Sequence, residues 1–194
     1  MLFRSSVAPP DGWQGRPVLS ASVGNDNALW VATEGAGIYR LRSGEWTHFG
    51  ESSGLGNLFV WSVAEDARGQ VWAGTWGGGV FIKRGERFER AVGLEDFNAP
   101  TPALLPRPDG SCWIGSGDGL LLYQPGSPTI RYGREQGLVL PDVRAVVEEA
   151  GGRVWFGMLG GGLGLLERGM VRQFRKADGL ARDFEIGRDT SELQ

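Results

Sequence analysis

The sequence predicts an all-β protein, a β-propeller built from four-stranded antiparallel blades. Three observations predict it. An apolar run centred on tryptophan recurs at Trp30, Trp72, Trp113 and Trp155, with spacings of 42, 41 and 42 residues, a period that signals a repeat architecture. A glycine-rich turn follows each run: Gly35 and Gly37, Gly77 to Gly79, Gly117 and Gly119, and Gly160 to Gly162. An aromatic residue then stands six positions before a Gly-Leu leucine, in the pairs Phe49 and Leu55, Phe88 and Leu94, Tyr132 and Leu138, and Phe174 and Leu180.

The strands follow from these markers. The tryptophan run, the glycine turn and a second apolar run (Ile38 to Leu41, Val80 to Ile82, Leu120 to Tyr123, Leu163 to Leu166) make an antiparallel hairpin, because glycine supplies the positive φ of tight turns. A further strand ends near each aromatic. The innermost strand precedes each tryptophan, at Pro17 to Val23, Phe59 to Glu65, Pro102 to Pro106 and Val143 to Glu148. Four strands in about 42 residues make one propeller blade. Helical repeats do not fit, since every unit carries glycines at its middle and no stretch sustains a 3.6-residue apolar period.

Taken in order, residues 1–16 form an N-terminal extension outside the repeat, in which Trp13 is placed to cover an edge. Blade 1 spans 17–49, blade 2 spans 59–90, blade 3 spans 102–133 and blade 4 spans 142–175. In blade 2 the aromatic Phe88 comes early, attributed to a short loop at Arg84-Gly85-Glu86. In blade 3 the prolines Pro100 and Pro102 suggest an irregular or edge-like inner strand, and the turn Ser116-Gly117-Asp118-Gly119 is one residue shorter than the others. Residues 183–194 read as the start of a fifth blade: if Asp189 matches Asp66, the next tryptophan falls one position beyond Gln194. The expectation is a fragment of a larger ring whose exposed blade faces and edges favour self-association.

One resemblance is carried by all four units. The run Val60-Trp61-Ser62-Val63-Ala64-Glu65-Asp66, then Gly69-Gln70-Val71-Trp72-Ala73-Gly74-Thr75, then Gly77-Gly78-Gly79-Val80, resembles the two-component regulator propeller repeat. The resemblance extends from about Val18 to Phe184. It implies a propeller of about seven blades, within the usual range of ring sizes. It also implies a place in the extracytoplasmic, periplasmic sensor region of a histidine kinase or related regulator of a phosphorelay. A looser resemblance links the chain to the propeller of streptogramin lyase.

Composition narrows the partners. The 33 glycines among 194 residues belong to the turns of the repeat rather than to disorder. A net charge of −3 with scattered arginines provides no clustered basic surface for nucleic acid. No apolar run is long enough to span a membrane, and residues 1–10 lack the apolar core of a signal peptide. The single cysteine, Cys112, occupies the position of Val71 and Val154 and reads as a small buried hydrophobe.

The search for chemistry points to binding rather than catalysis. Loops leading into each inner strand share a face with the glycine turns, and there they gather Glu34, Asn57, Phe59, Trp76, Asp118, Asp142 and Asp183. Trp61 and Arg144 lie eleven residues before their repeat tryptophans, on strands that face the central channel. Trp61 and Trp76 depart from the repeat, whose equivalent positions hold Leu19 and Arg144, or Glu34 and Leu159. Such aromatics can stack on a sugar or other ring, or cover apolar edges between blades. Arg144 can hold an anion or pair with a neighbouring carboxylate. The candidate ligand-binding set is therefore Trp61, Trp76, Asn57, Asp118, Asp142 and Arg144. No metal, cofactor or catalytic residue is expected. The acidic residues lack a ligand spacing, the glycine triplets lack the Lys-Ser/Thr of a phosphate loop, and the single histidine, His48, sits on an outer strand with Arg87, Arg131 and Gln173 as its counterparts.

Three functions stand open at this point. The family resemblance implies a non-catalytic sensory propeller that reads an extracytoplasmic ligand, with a carbohydrate as the candidate, and hands the signal to other blades or domains. A rigid radial array also suits a structural or protein-interaction propeller without a small ligand. A streptogramin-lyase-like enzyme is the weaker alternative.

Overall fold

The computed structural model describes Trp13 and residues 15–181. The expected fifth blade, and Asp183 with it, lie outside the described residues. Sixteen strands form four separate four-stranded antiparallel sheets, each with its strands in sequence order from the inside outward. Blade 1 comprises β1 (Val18–Val23), β2 (Leu29–Thr33), β3 (Ile38–Arg42) and β4 (Glu45–Phe49). Blade 2 comprises β5 (Val60–Glu65), β6 (Val71–Thr75), β7 (Val80–Arg84) and β8 (Arg87–Arg90). Blade 3 comprises β9 (Ala103–Pro106), β10 (Cys112–Ser116), β11 (Gly119–Tyr123) and β12 (Ile130–Tyr132). Blade 4 comprises β13 (Val143–Glu148), β14 (Val154–Met158), β15 (Gly162–Glu167) and β16 (Met170–Phe174). The first strands pack on one another in the order β1, β5, β9, β13, and no comparable packing among the described residues links β13 back to β1.

The apolar cores lie between blades, not within them. Trp30, Ala32, Ile38 and Phe49 of blade 1 meet Val71, Ala73, Phe81 and Phe88 of blade 2, with Leu55 from the intervening loop. Trp72 and Ile82 of blade 2 meet Cys112, Ile114, Leu121 and Tyr123 of blade 3. Trp113 and Leu120 of blade 3 meet Val143, Val154 and Phe156 of blade 4, again with a loop leucine, Leu138. Every repeat tryptophan thus packs forward onto the next blade when that blade is present. Burial pushes the Cys112 thiol well above its ordinary range, as befits an apolar filler.

Side chains with small acceptors and donors fix the turns. Asp66 takes the backbone N–H groups of Arg68 and Gln70 in the β5–β6 turn. Asp109 takes the hydroxyl and N–H of Ser111 in the β9–β10 turn, and those bonds hold its carboxyl below the usual carboxylate range. At the other end of the hairpins, Thr33, Thr75 and Ser116 each donate a hydroxyl hydrogen bond to the glycine that ends the next turn, Gly37, Gly79 and Gly119, at 2.8, 2.8 and 2.9 Å. These glycines and Gly162 have positive φ, and a Cβ added at any of them would run into a backbone carbonyl: of Phe49, Phe97, Tyr132 or Phe174. Gly37→Ala is therefore expected to destabilise the chain by about 2 kcal/mol or more in a denaturant titration. Gly44→Ala, at positive φ but with open space around it, should cost no more than the left-handed strain of about 1–2 kcal/mol. Equal losses at the two positions would refute the carbonyl contact as the cause.

Three expectations about blade 2 need correction. Strand register pairs Leu41 with Trp46 and Lys83 with Phe88, so Phe88 is the counterpart of Trp46, not of Phe49. The counterpart of Phe49 is Ala91, whose N–H bonds Val80 as the outer strand ends. Because the positions are an odd number apart, Phe88 faces blade 1 while Ala91 faces blade 3. The turn at Gly85-Glu86 is not short either, having two residues like Ser43-Gly44 and Arg168-Gly169. By the same register, His48 corresponds to Arg90 rather than to Arg87.

Candidate functional site

The inner strands of three blades share a backbone irregularity that the sequence pattern does not announce. Register shifts occur between Val18 and Ser20, between Val60 and Ser62, and between Val143 and Ala145. The unpaired residue in each case is Leu19, Trp61 or Arg144. A β-bulge frees one residue from the ladder and re-aims its side chain. The positions eleven residues before the repeat tryptophans are therefore bulge positions, which is why they carry residues the rest of the repeat does not. Blade 3 has Pro102 there and an unshifted register, so against the expectation from its prolines its inner strand is the one without the irregularity.

A second regularity builds the rim above the bulges. The residue four positions after each repeat tryptophan donates its N–H to the carbonyl two positions before the bulge. The pairs are Glu34 to Pro17 (3.0 Å), Trp76 to Phe59 (2.9 Å), Gly117 to Pro100 (3.0 Å) and Leu159 to Asp142 (2.8 Å). Each blade thus presents three variable side chains on one fixed backbone frame. Blade 2 fills them with Phe59, Trp61 and Trp76. Blade 4 fills them with Asp142, Arg144 and Leu159. Blade 3, between them, has Pro100, Pro102 and Gly117, whose low profile leaves room for blades 2 and 4 to meet.

They do meet. The Trp61 and Trp76 rings pack with centroids 4.3 Å apart and a 34° tilt. The Arg144 guanidinium lies over the Trp61 ring at 4.9 Å from its centroid. Arg144 in turn donates to Asp142 Oδ2 at 2.6 Å. Asn57 pins the turn: its amide donates to the Trp76 carbonyl at 2.6 Å and its side-chain oxygen accepts from Phe59 N at 2.8 Å. Five of the six candidate residues are thus one connected cluster. Asp118 is not linked to it; it sits exposed in the β10–β11 turn, where its N–H bonds the Ser116 hydroxyl at 3.2 Å.

The contacts sort these residues by what they can offer. Trp61 has Trp76 against its ring and Arg144 over it, so little of its face remains for a ligand. Trp76 is 47% exposed and carries the accessible aromatic surface, flanked by Phe59. The ion pair with Asp142 occupies part of Arg144, the second of the two roles open to it in the sequence. Asp142 Oδ1 and Arg144 Nε are buried and without a hydrogen-bond partner among the described residues, so the part of the pair open to a ligand is the partly exposed remainder of the two side chains. His48 is remote from this cluster. Its Nε2 lies 2.8 Å from the Ala36 carbonyl and its ring stacks on Tyr39 at 4.6 Å, a clamp that Arg90 and Gln173 repeat on Gly78 and Gly161. Among the described residues no group of three or more His, Cys, Asp or Glu side chains could hold a metal ion, and no helix is long and apolar enough to cross a membrane.

Comparison with known proteins agrees with this architecture. Residues 54–77 match the family model of the two component regulator propeller. Among solved structures, the chain is similar to the extracellular domain of BT3049 from B. thetaiotaomicron, described as a hybrid two component system, at 23% identity and a TM-score of 0.74, covering 87% of this chain and 24% of that one. It is similar to the extracellular domain of BT4673 from the same organism, described as a one component system, at 19% identity and a TM-score of 0.69, covering 86% and 24%. It is also similar to virginiamycin B lyase from Staphylococcus aureus, at 12% identity and a TM-score of 0.64, covering 81% and 55%. No curated protein sequence matches the chain. The four-bladed array is therefore a β-propeller segment, and it spans about a quarter of the length of the extracellular domains it matches.

Proposed function

We propose that this propeller segment is a non-catalytic sensory module of a two-component regulator, reading an extracytoplasmic saccharide at the blade 2 and blade 4 rim. The observation that carries the reading is the exposed Trp76 ring, held in place by Trp61 and by the Asn57 bond to its carbonyl. A sugar presents C–H groups on one face and hydroxyls at its edge. The face would stack on Trp76, and the edge would reach the Asp142–Arg144 pair, whose side chains are partly exposed. Trp61 acts in this reading as a positioning residue, because Trp76 and Arg144 occupy its ring. The likeness to extracellular domains of signalling proteins supports the extracytoplasmic setting. The placement of His48 on an outer strand supports the absence of acid–base chemistry.

Thermal shift against a panel of oligosaccharides tests it. A ligand at 100 times its dissociation constant stabilises by about 2.7 kcal/mol, which for a chain of this size raises Tm by roughly 5–10 °C. Trp76→Ala is expected to remove most of that shift. A panel that shifts nothing would defeat the saccharide reading, and a shift that survives Trp76→Ala would move the site elsewhere. Phe59, Trp76 and Leu159 also expose apolar surface on the same rim, so a protein partner is the second reading, favoured by a silent saccharide panel.

A further inference from the structure

At the strand ends opposite the rim, the repeat reverses one charge in blade 2. In blade 1, Asp26 stands four residues before Trp30 and pairs with Arg40 and with Arg42, whose Nε lies at 3.2 Å. Arg42 is the last residue before the two-residue turn to the outer strand. In blade 2 the residue four before Trp72 is Arg68, and the counterpart of Arg42 is Arg84. Blades 3 and 4 have Asp109 and Gly151 at the first of these positions. Two guanidiniums thus stand in blade 2 where blade 1 has an ion pair. Neither makes an ion pair among the described residues.

Both arginines line one cavity of ≈ 450 Å³ between blades 2 and 3, within the range of about 300–1,000 Å³ typical of small-ligand sites. Gly69, Gly85 and Gly110 line it without side chains, so the long side chains have room above the turns. Arg68 crosses to blade 3: a Cβ added at Gly110 would lie 3.2 Å from one of its terminal nitrogens. Lys83 adds a third positive charge to the lining. Its ammonium donates to the Gly85 carbonyl and lies 3.6 Å from Glu86, a side chain 86% exposed. The one carboxylate among the lining residues, Asp66, is buried and accepts the N–H groups of Arg68 and Gln70. A second cavity, of ≈ 410 Å³, shares Arg68, Gly69 and Lys83 and continues the cleft toward blade 1, where Arg40 is already neutralised by Asp26. The uncompensated charge is therefore concentrated at the blade 3 end, in a chain whose net charge is −3.

We propose that this cleft binds a doubly charged tetrahedral oxyanion, a phosphate or sulfate group, between Arg68 and Arg84. Guanidinium groups present paired N–H donors that match the oxygens of such a group, and the anion takes the place that the Asp26 carboxylate fills in blade 1. Lys83 contributes charge rather than a directed bond. The volume beyond the anion accommodates the organic part of an ester. The site is separate from the Trp76 rim, since the β5–β6 and β7–β8 turns lie at the opposite strand ends from the β6–β7 turn.

Isothermal titration calorimetry on the whole chain, at constant ionic strength set with sodium chloride, tests this with inorganic phosphate, inorganic sulfate and glycerol phosphate. One equivalent of phosphate or sulfate is expected to bind, with Kd on the order of 1 mM. Arg68→Asp restores the blade 1 arrangement by giving Arg84 a carboxylate, so the variant is expected to melt no lower than wild type and to bind about tenfold more weakly or not at all. Arg84→Gln is the second variant should Arg68→Asp fail to melt cooperatively, with the same loss expected. Arg172→Gln, which removes an exposed charge on β16, is expected to bind like wild type. Tighter binding of glycerol phosphate than of phosphate would identify an organic ester as the ligand, and weaker binding the free ion. No saturable binding of any of the three, affinity unchanged in both cleft variants, or an equal loss in Arg172→Gln would each overturn the proposal. Trp76→Ala is expected to leave the binding intact, so the outcome is independent of whether a saccharide binds the rim.

Discussion

Trp72→Ala is expected to lower stability by about 3–5 kcal/mol, whereas Trp76→Ala, four residues away, should cost only about 1 kcal/mol. The contrast follows from where each ring goes. Trp72 is 1% exposed and lies edge-on to Tyr123 at 5.4 Å in the core between blades 2 and 3. Its indole N–H has no hydrogen-bond partner among the described residues, so its removal forfeits apolar packing and leaves a cavity, with none of those bonds lost. The cavity opens at a junction that both neighbouring blades depend on. Trp76 is held against Trp61 on one side and faces solvent on the other. For a chain of this size the larger loss corresponds to a fall in Tm of roughly 10 °C or more. Urea titrations of both variants measure the difference directly. Similar losses for the two would mean that Trp76 belongs to the packing of the fold, which would weaken its assignment as the ligand-facing ring.

The period of the tryptophans made the blades legible because packing between blades is repetitive, and each new blade must present the same forward and receiving faces. Trp61 and Arg144 were legible for the opposite reason: they break the repeat at a position where the repeat has no packing duty. What the spacing could not show is that this position is a bulge. Nor could it show that Pro100, Pro102 and Gly117 lower the rim of blade 3 enough for Arg144 to reach Trp61 across it. Contact between residues 83 positions apart depends on the curvature of the array, which no local pattern encodes. Phe88 was misread because counting back from a Gly-Leu pair assumes a constant loop, and the loop before Leu94 differs from the others. Its true register is set by the pairing of Arg84 with Arg87. Trp13 covers an edge as its place outside the repeat suggests, stacked on Tyr39 at 5.0 Å and edge-on to Trp46 at 5.6 Å.

Glu65→Ala is expected to cost about 2–3 kcal/mol, and Glu65→Gln about 1 kcal/mol, by loosening blade 1 from blade 2. The Glu65 carboxylate, at the end of β5, accepts from Asn25 N at 2.9 Å and from Trp30 Nε1 at 2.8 Å, both in blade 1. Gly24 permits the approach, since a Cβ there would collide with the carboxylate. Alanine leaves two donors to find water at a partly buried seam, while glutamine keeps one oxygen for one of them. Glu148 plays a similar part for Trp113, at a longer 3.3 Å, and spends its closer contact, 2.9 Å, on Arg107. The junction between blades 2 and 3 supplies an internal control. The residue 35 positions after Trp72 is Arg107 where the other two junctions have Glu65 and Glu148. A guanidinium accepts nothing, and the Trp72 N–H is unpaired among the described residues. The chain tolerates one junction without a carboxylate–indole bond, held by its apolar core and by the Ser62 hydroxyl bond to the Thr101 carbonyl at 2.7 Å, which bounds the value of the carboxylate to a few kcal/mol. Equilibrium denaturation of both Glu65 variants, followed by circular dichroism, reads the cost. A Glu65→Ala midpoint indistinguishable from wild type would show that the Glu65 bonds add nothing to this junction.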